Sequence, residues 1–262
     1  MQTKAVIDYI VKWLDDYLTN SRQNGYVIGI SGGIDSAVTS TLAAMTGKPL
    51  MVLEMPIHQD PNQVTRGKEH IAWLKENFSN VHSSVVDLTN TFDSFVEAID
   101  LDKSDSEWEL SLANSRSRLR MTTLYYFAGL HRYLVLGTGN KIEDFGVGFF
   151  TKYGDGGVDV SPIADLLKSE VFLLAKELNI VDSIQKAQPT DGLWADNRTD
   201  EDQMGATYDE LEWAMKVDAD KTPDDFEGRE KEVLTIYRRL NRAAQHKLNP
   251  IPVAYIPEEL KV

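Results

Sequence analysis

Residues 26–36, Tyr-Val-Ile-Gly-Ile-Ser-Gly-Gly-Ile-Asp-Ser, constrain the fold of this 262-residue chain more than any other stretch. Residues 26–30 are apolar or β-branched and predict a short buried strand. Ser31-Gly32-Gly33 then gives a turn with little side-chain bulk, and Asp35 and Ser36 can begin a helix. Such a turn exposes backbone N–H groups at the positive end of the helix dipole. The stretch therefore predicts an anion-binding loop, in which glycine lets a phosphate approach closely.

The loop differs from two common nucleotide-binding motifs. It contains neither Gly-x-x-x-x-Gly-Lys-Ser/Thr nor Gly-x-Gly-x-x-Gly. Its order Ser-Gly-Gly-x-Asp-Ser resembles instead the pyrophosphate loop of the ATP pyrophosphatases, which cleave ATP between its α and β phosphates.

Strand-like and helix-like segments alternate along the chain. An apolar stripe within residues 6–18 predicts an N-terminal helix. Further strands are predicted at 50–54, 83–88 and 133–136, and helices at 37–45, 64–78, 91–130 (two pieces, broken around 103–106), 167–178 and 230–246. This alternation predicts an α/β fold: a doubly wound, mostly parallel sheet with helices on both faces. We expect one domain over 1–262 with C-terminal helical excursions from about 191, and ligands at the carboxyl ends of the strands.

The composition argues against several classes of partner and site. The net charge of −14 argues against a nucleic-acid partner, which would require a basic face. The chain has no cysteine, which excludes disulfides and thiolate metal sites. No segment approaches the roughly 20 apolar residues of a membrane span, and charged residues interrupt the first 20 positions. We therefore expect a cytoplasmic protein with no membrane partner.

A second glycine turn, Gly137-Thr138-Gly139, follows the predicted fourth strand and leads to Glu143. Asp35 and Glu143 would both lie just beyond strand ends. Mg²⁺ prefers oxygen ligands and usually takes one or two carboxylates together with phosphates, so this pair predicts a metal site. An ordinary acidic residue in the first turn of a helix explains Glu143 equally well.

Three further segments have a functional and a structural interpretation. Residues 149–159, Phe-Phe-Thr-Lys-Tyr-Gly-Asp-Gly-Gly-Val-Asp, suit a flat ring and a phosphate, or a tight surface loop with a hydrophobic plug. Arg116 and Arg120 would share one face of a helix, with Arg118 nearly opposite, and such a pattern is more often a salt-bridged surface than a ligand site. The acidic run 191–232 is best interpreted as solvated surface, with a mobile cover over the site as the alternative.

The motifs together resemble the ammonia-dependent NAD synthetases, and the similarity covers nearly the whole chain. They occur in the order Ser31–Ser36, Gly137–Glu143, Gly148–Gly157, Ser161–Lys168, Pro189–Asp191 and His246-Lys247. The first marks only the ATP pyrophosphatase superfamily. The Phe-Phe-Thr-Lys-Tyr-Gly-Asp-Gly-Gly segment and the terminal His-Lys pair are specific to this family.

The resemblance implies a C–N ligase with an adenine nucleotide alpha hydrolase-like fold. Its reaction joins ATP, nicotinic acid adenine dinucleotide (deamido-NAD) and ammonia into NAD, AMP and pyrophosphate, through an adenylated carboxylate, as the last step of NAD biosynthesis. It also implies a homodimer whose dinucleotide site is shared between subunits. Only about 25 residues precede the first predicted strand, so we expect no glutaminase domain and a supply of free ammonia or of ammonia from a separate donor protein.

The resemblance also assigns residues, with Asp35 and Lys168 as the catalytic pair and Asp35 and Glu143 as Mg²⁺ ligands. The ATP contacts that it implies are Gly29, Ile30, Ser31, Gly32, Gly33, Ile34, Asp35, Ser36, Thr138, Lys168 and Thr190. The deamido-NAD contacts that it implies are Arg118, Lys152, Asp159, His246 and Lys247.

Two other function classes stay open at this stage. Another ATP pyrophosphatase would amidate a purine nucleotide or modify tRNA, although the missing cysteines argue against thiolation and the acidic balance argues against tRNA. A nucleotide-binding regulatory protein would keep the fold without turnover, which the intact Asp35 and Glu143 disfavour.

Overall fold

Four parallel strands form the centre of the computed structural model, which describes residues 1–99, 103–104, 106–190 and 199–261. The strands are β1 (Gly25–Gly29), β2 (Leu50–Glu54), β3 (Val81–Val85) and β4 (Tyr133–Val135), in the order β3-β2-β1-β4. The predicted parallel sheet is confirmed. The third strand begins and ends earlier than the predicted 83–88, because its pairing runs from Leu50↔Val81 to Glu54↔Val85 and β2 ends there.

Ten α-helices connect and cover these strands in the described residues. They are α1 (Thr3–Ser21), α2 (Ile34–Met45), α3 (Pro61–Asn77), α4 (Thr89–Ala98), α5 (Trp108–His131), α6 (Lys168–Glu177), α7 (Asp182–Gln185), α8 (Asp200–Met204), α9 (Tyr208–Val217) and α10 (Gly228–Leu248). A π-helical turn spans Ile142–Val147, and short 3₁₀ turns span Pro223–Asp225 and Glu258–Leu260. The predicted break between two helices around 103–106 is confirmed by the separation of α4 from α5.

The central strands of the sheet, β1 and β2, are buried on both faces, as a parallel sheet requires. Tyr26 and Ile28 of β1 pack into one cluster with apolar residues of α1, α2 and α6. Val27, which points the other way, packs into a second cluster with residues of α4 and α5. The predicted covering of both faces by helices is therefore confirmed.

A third hydrophobic cluster lies beside the carboxyl edge of the sheet. Residues of α9 and α10 pack there on the π-helical turn, with Leu211 and Leu234 completely buried. The prediction of a solvated surface for the acidic run 191–232 is wrong at Asp200 and Tyr208, which are each 6% exposed. Residues 191–198, which include Asp191, lie outside the described residues.

None of the helices in the described residues has a sufficiently long and apolar stretch to cross a membrane.

Candidate active site

The loop between β1 and α2 has the geometry of an anion cradle. Gly32 adopts a φ of +81°, and a Cβ at this position would lie 2.4 Å from the backbone oxygen of Gln63. The Ser36 hydroxyl donates to the Gly33 oxygen at 3.0 Å, and the Gly33 N–H donates to Ser31 Oγ at 3.1 Å. These bonds fix the turn, so that the N-terminus of α2 opens toward the carboxyl edge of the sheet.

A cleft of about 440 Å³ lies at this edge. It is lined by every residue predicted to contact ATP: Gly29, Ile30, Ser31, Gly32, Gly33, Ile34, Asp35, Ser36, Thr138, Lys168 and Thr190. The predicted metal ligand Glu143 lines it as well. Residues from both predicted glycine turns thus meet in one cavity, as the strand order requires, since β1 and β4 are neighbours.

Lys168 holds the two predicted metal ligands together. Its Nζ lies 2.6 Å from Asp35 Oδ2 and 3.0 Å from Glu143 Oε1. Lys168 is the first residue of α6 and is only 3% exposed. One buried ammonium is therefore shared by two carboxylates that follow the neighbouring strands β1 and β4.

Asn140 bonds to the Asp35 carboxylate and to the backbone of Glu143. Its Nδ2 donates to Asp35 Oδ1 at 3.2 Å, and its Oδ1 accepts from the Glu143 N–H at 3.2 Å. Asn140 is completely buried. A single amide side chain thus sets the positions of both Asp35 and the π-helical turn that carries Glu143.

Burial and crowding shift the pKa values of this cluster. Burial raises the pKa of Asp35, and Glu143 adds to the rise, while Lys168 and Asn140 oppose it. Burial alone would lower the pKa of Lys168, but Asp35 and Glu143 outweigh it and leave that pKa above its ordinary value. Burial also raises the pKa of Asp144 to about 7, with further contributions from the charges of Glu143, Asp155 and Asp35. The cleft therefore has an excess of crowded carboxylates, which favours binding of a cation.

A second cavity, of about 410 Å³, adjoins the first across residues 148–151. It gathers four of the predicted dinucleotide contacts: Arg118, Lys152, His246 and Lys247. These side chains order one another: Arg118 Nε donates to the Lys152 oxygen at 3.3 Å, and Lys152 Nζ donates to the His246 oxygen. Lys247 Nζ donates to the oxygens of Gly148 and, at 2.8 Å, Phe150. The cluster is cationic, in contrast to the acidic cleft beside it.

The three arginines of α5 diverge. Arg118 lines the second cavity, whereas Arg120 lines the first and donates to the Met55 oxygen at 3.0 Å. The Arg116 guanidinium stacks over the ring of Phe92 at 4.7 Å. Among the three, Arg118 is the one beside the other predicted dinucleotide contacts.

Asp159 lines neither cavity in the described part of the chain. Its Oδ2 accepts from the Val135 N–H at 2.8 Å and its Oδ1 accepts from the Tyr125 hydroxyl at 3.0 Å. Its contact with the dinucleotide stays a prediction, because the resemblance places that site between two subunits.

Sequence reasoning missed Asn140, Tyr208 and Asp200. The Tyr208 hydroxyl donates to Glu143 Oε1 at 2.6 Å and lies 3.2 Å from Asp200 Oδ2. The Thr207-x-x-Glu210 pattern of a capping box could have placed Tyr208 at the start of a helix. No local signal could have indicated that this helix packs against the cleft.

The chain resembles known proteins over nearly its whole length, and the family model described as NAD synthase matches residues 6–251. The NH(3)-dependent NAD(+) synthetase of Mesoplasma florum is 36% identical, over 100% of this chain and 99% of the relative, and that of Syntrophomonas wolfei is 37% identical over 100% of both. The solved structure of NMN synthetase from Francisella tularensis superposes with a TM-score of 0.84 at 32% identity, covering 98% of this chain and 99% of the other. The chain belongs to the NAD synthase family.

Proposed function

We propose that this protein joins ammonia to the nicotinate carboxylate of deamido-NAD with consumption of ATP, forming NAD, AMP and pyrophosphate. The observation that carries the proposal is the arrangement of the two cavities. A glycine-lined cleft with Lys168, Asp35 and Glu143 shares a wall with a cationic cavity that contains Arg118 and the His246-Lys247 pair. A nucleoside triphosphate and an anionic dinucleotide can therefore meet at residues 148–151.

The chemistry requires two displacements. A carboxylate oxygen of the nicotinate attacks the α-phosphorus of ATP, and pyrophosphate leaves. The nitrogen of ammonia then attacks the carbonyl carbon of the acyl adenylate, AMP leaves, and the nitrogen loses a proton to give the amide. Preorganised donors at the departing charge lower the first barrier, and the N–H groups at the N-terminus of α2 are such donors.

Lys168 supplies a buried, fixed positive charge in the cleft. Its ammonium is held by Asp35 and Glu143 and needs little reorganisation to interact with phosphate oxygens. We propose that Lys168 and Asp35 act as a unit, in which Asp35 orients the ammonium that contacts ATP.

The donor set fits Mg²⁺, with Asp35 and Glu143 as its protein ligands. Both carboxylates bond to the Lys168 ammonium and line the cleft beside the phosphate-binding loop, so they lie close together where the triphosphate would bind. No group of three His, Asp or Glu side chains within the described ranges could hold a metal unaided. That number of ligands suits Mg²⁺, which usually combines one or two carboxylates with substrate phosphates. When bound, Mg²⁺ would neutralise charge on the triphosphate.

Product analysis tests the activity. The protein is incubated with Mg²⁺, ATP, ammonium and deamido-NAD, and NAD and pyrophosphate are measured. We expect both products in equal amounts. Pyrophosphate without NAD would indicate another acceptor, and folded protein that binds ATP without forming either product would indicate a regulatory nucleotide-binding protein.

A second candidate substrate follows from the structural comparison. The Francisella tularensis protein, with a TM-score of 0.84, is described as an NMN synthetase. The same two displacements on nicotinic acid mononucleotide would give NMN. Comparison of kcat/KM for the dinucleotide and the mononucleotide separates the two, and we expect the dinucleotide to be preferred, in agreement with the two full-length relatives described as NAD(+) synthetases.

We also propose that the protein is a homodimer that associates through α5. This helix leaves Tyr126 and Leu130, which lie one turn apart on the same face, 65% and 60% exposed, and contiguous exposed apolar residues mark interaction sites. Sedimentation should give twice the monomer mass for the wild type and the monomer mass for a Tyr126→Glu/Leu130→Glu variant. A monomeric wild type at micromolar concentration would exclude this assembly.

A further inference from the structure

We propose that Tyr208 is a positioning residue of the ATP site, through which α9 sets the placement of Glu143 and Lys168. The inference rests on the proposed use of this cleft for ATP. Tyr208 is 6% exposed and belongs to the third hydrophobic cluster, outside the sheet. Its side chain nevertheless extends into the charged cluster and contacts both Glu143 and Lys168.

Two different contacts of Tyr208 act on the site. The hydroxyl donates to Glu143 Oε1 at 2.6 Å, the same oxygen that lies 3.0 Å from Lys168 Nζ. The ring lies under the ammonium, with Lys168 Nζ 4.7 Å from its centroid. The side chain of Tyr208 thus holds Glu143 by a hydrogen bond and Lys168 by a cation–π contact.

The Tyr208 hydroxyl lies near two carboxylates, those of Glu143 and Asp200. Tyr208 has one proton, and its oxygen lies 2.6 Å from Glu143 Oε1 but 3.2 Å from Asp200 Oδ2. The shorter distance assigns the proton to Glu143. Without it, Glu143 Oε1 would lose one of its two donors, and the ammonium of Lys168 would be drawn toward Glu143 and away from the phosphate-binding loop.

An ion pair between α9 and α10 holds Tyr208 in position. Tyr208 is the first residue of α9, whose N-terminus is capped by Thr207 and Glu210. Glu210 also forms a bidentate ion pair with Arg229 of α10. Arg229 Nε donates to Glu210 Oε1, and Arg229 Nη2 donates to Glu210 Oε2, each at 2.7 Å. These bonds lower the pKa of Glu210 to about 2, with Arg229 as the largest cause. A surface ion pair thereby holds the helix start that carries Tyr208 into the cleft.

The first test measures ATP binding directly. Calorimetry with Mg²⁺ and α,β-methylene ATP, which cannot be cleaved at the α–β bond, gives Kd without dependence on NAD formation. Tyr208→Phe keeps the ring and removes the hydroxyl, and we expect it to weaken binding by about tenfold, as the loss of a hydrogen bond to a charged group implies. The matched control is Tyr237→Phe, which removes a hydroxyl from the same hydrophobic cluster and should leave Kd unchanged.

A steady-state comparison separates positioning from a general structural effect. Tyr208→Phe should raise KM for ATP and leave KM for deamido-NAD near the wild-type value. An unchanged Kd for the ATP analogue would overturn the proposal. A variant whose KM rises equally for ATP and for deamido-NAD, together with a lower urea midpoint of unfolding, would also overturn it. A wild type that binds the analogue but forms no NAD would contradict the proposed reaction and leave the binding test intact.

A second pair of variants covers the case in which Tyr208→Phe folds poorly. Arg229→Met releases the start of α9, whereas Arg238→Met removes the 2.6 Å pair with Asp218 at the other end of the same helix. Only Arg229→Met should weaken binding of the analogue, by roughly two- to fivefold, the size of a partly exposed ion-pair effect. Equal Kd values for these two variants would overturn the proposal.

Discussion

The substitution Lys168→Met tests the charge arrangement of the cleft most directly. Methionine keeps the apolar stem of the side chain but leaves the carboxylates of Asp35 and Glu143 without their common cation. At an effective dielectric constant of about 20, a unit charge pair at the 2.6 Å separation of Lys168 Nζ and Asp35 Oδ2 attracts by roughly 6 kcal/mol before desolvation is counted. Removal of one partner of a buried ion pair typically costs about 3–5 kcal/mol, and we expect a loss in that range.

The assay is urea unfolding at pH 7.5, monitored by tryptophan fluorescence. The matched control is Lys141→Met, which breaks a pair of similar length, 2.7 Å to Asp165, whose two side chains are 37% and 95% exposed. Screening by solvent limits such a pair to about 1 kcal/mol or less. A loss for Lys168→Met no larger than that for Lys141→Met would refute the reasoning.

A double variant identifies the cause of the loss. Adding Asp35→Asn to Lys168→Met removes one of the two stranded charges, and we expect it to recover roughly half of the lost stability. If the double variant is less stable than Lys168→Met alone, unfavourable packing of the methionine, rather than the stranded charge, explains the result.

Three further predictions follow from other parts of the fold. Gly32→Ala should lower stability by about 1–3 kcal/mol and abolish calorimetric ATP binding, because the new Cβ would lie 2.4 Å from the Gln63 oxygen at a φ of +81°; wild-type binding would refute this. Burial lowers the pKa of His70 to about 4, below its unfolded value of 6.5, so this residue should contribute roughly 3 kcal/mol of stability above pH 6.5 that is lost as the pH falls toward 4. In urea titrations across that range, His70→Leu should flatten the slope, and an unchanged slope would contradict the prediction. Asn241→Ala removes a 2.6 Å donor to the Gly146 oxygen of the π-helical turn, and thermal unfolding should show a loss of about 1–2 kcal/mol, where no change would show that the bond contributes nothing.

Much of the site could be predicted because its residues lie in local patterns. The strand, the glycine turn and the helix start at 26–36 occur within eleven residues, and a pattern of this length is set by backbone conformation and burial alone. The sequence also placed the second glycine turn at the same edge of the sheet, and the pairing of β1 with β4, which the structure shows, brings Asp35 and Glu143 together there. The roles of Arg118, Lys152 and the His246-Lys247 pair came from the family resemblance.

The acidic run was interpreted wrongly for a physical reason. A high density of acidic residues predicts a solvent-exposed segment when the partners of each carboxylate are unknown. In the structure, Asp200 is buried against Tyr208 and near Lys168. A carboxylate tolerates burial when distant parts of the chain supply its partners. Those partners are invisible in the local sequence.

The phosphate-binding loop, the parallel α/β sheet and the family could be predicted from the sequence, because each depends on residues that are close together or on motifs in a fixed order. The position of Lys168 between Asp35 and Glu143, and the contacts of Tyr208 from α9, could be seen only in the folded chain. These contacts join residues up to 133 positions apart along the chain. They form because burial of α9 and α10 on the π-helical turn requires a partner for each polar group carried into the interior, and that requirement is met only in the folded chain.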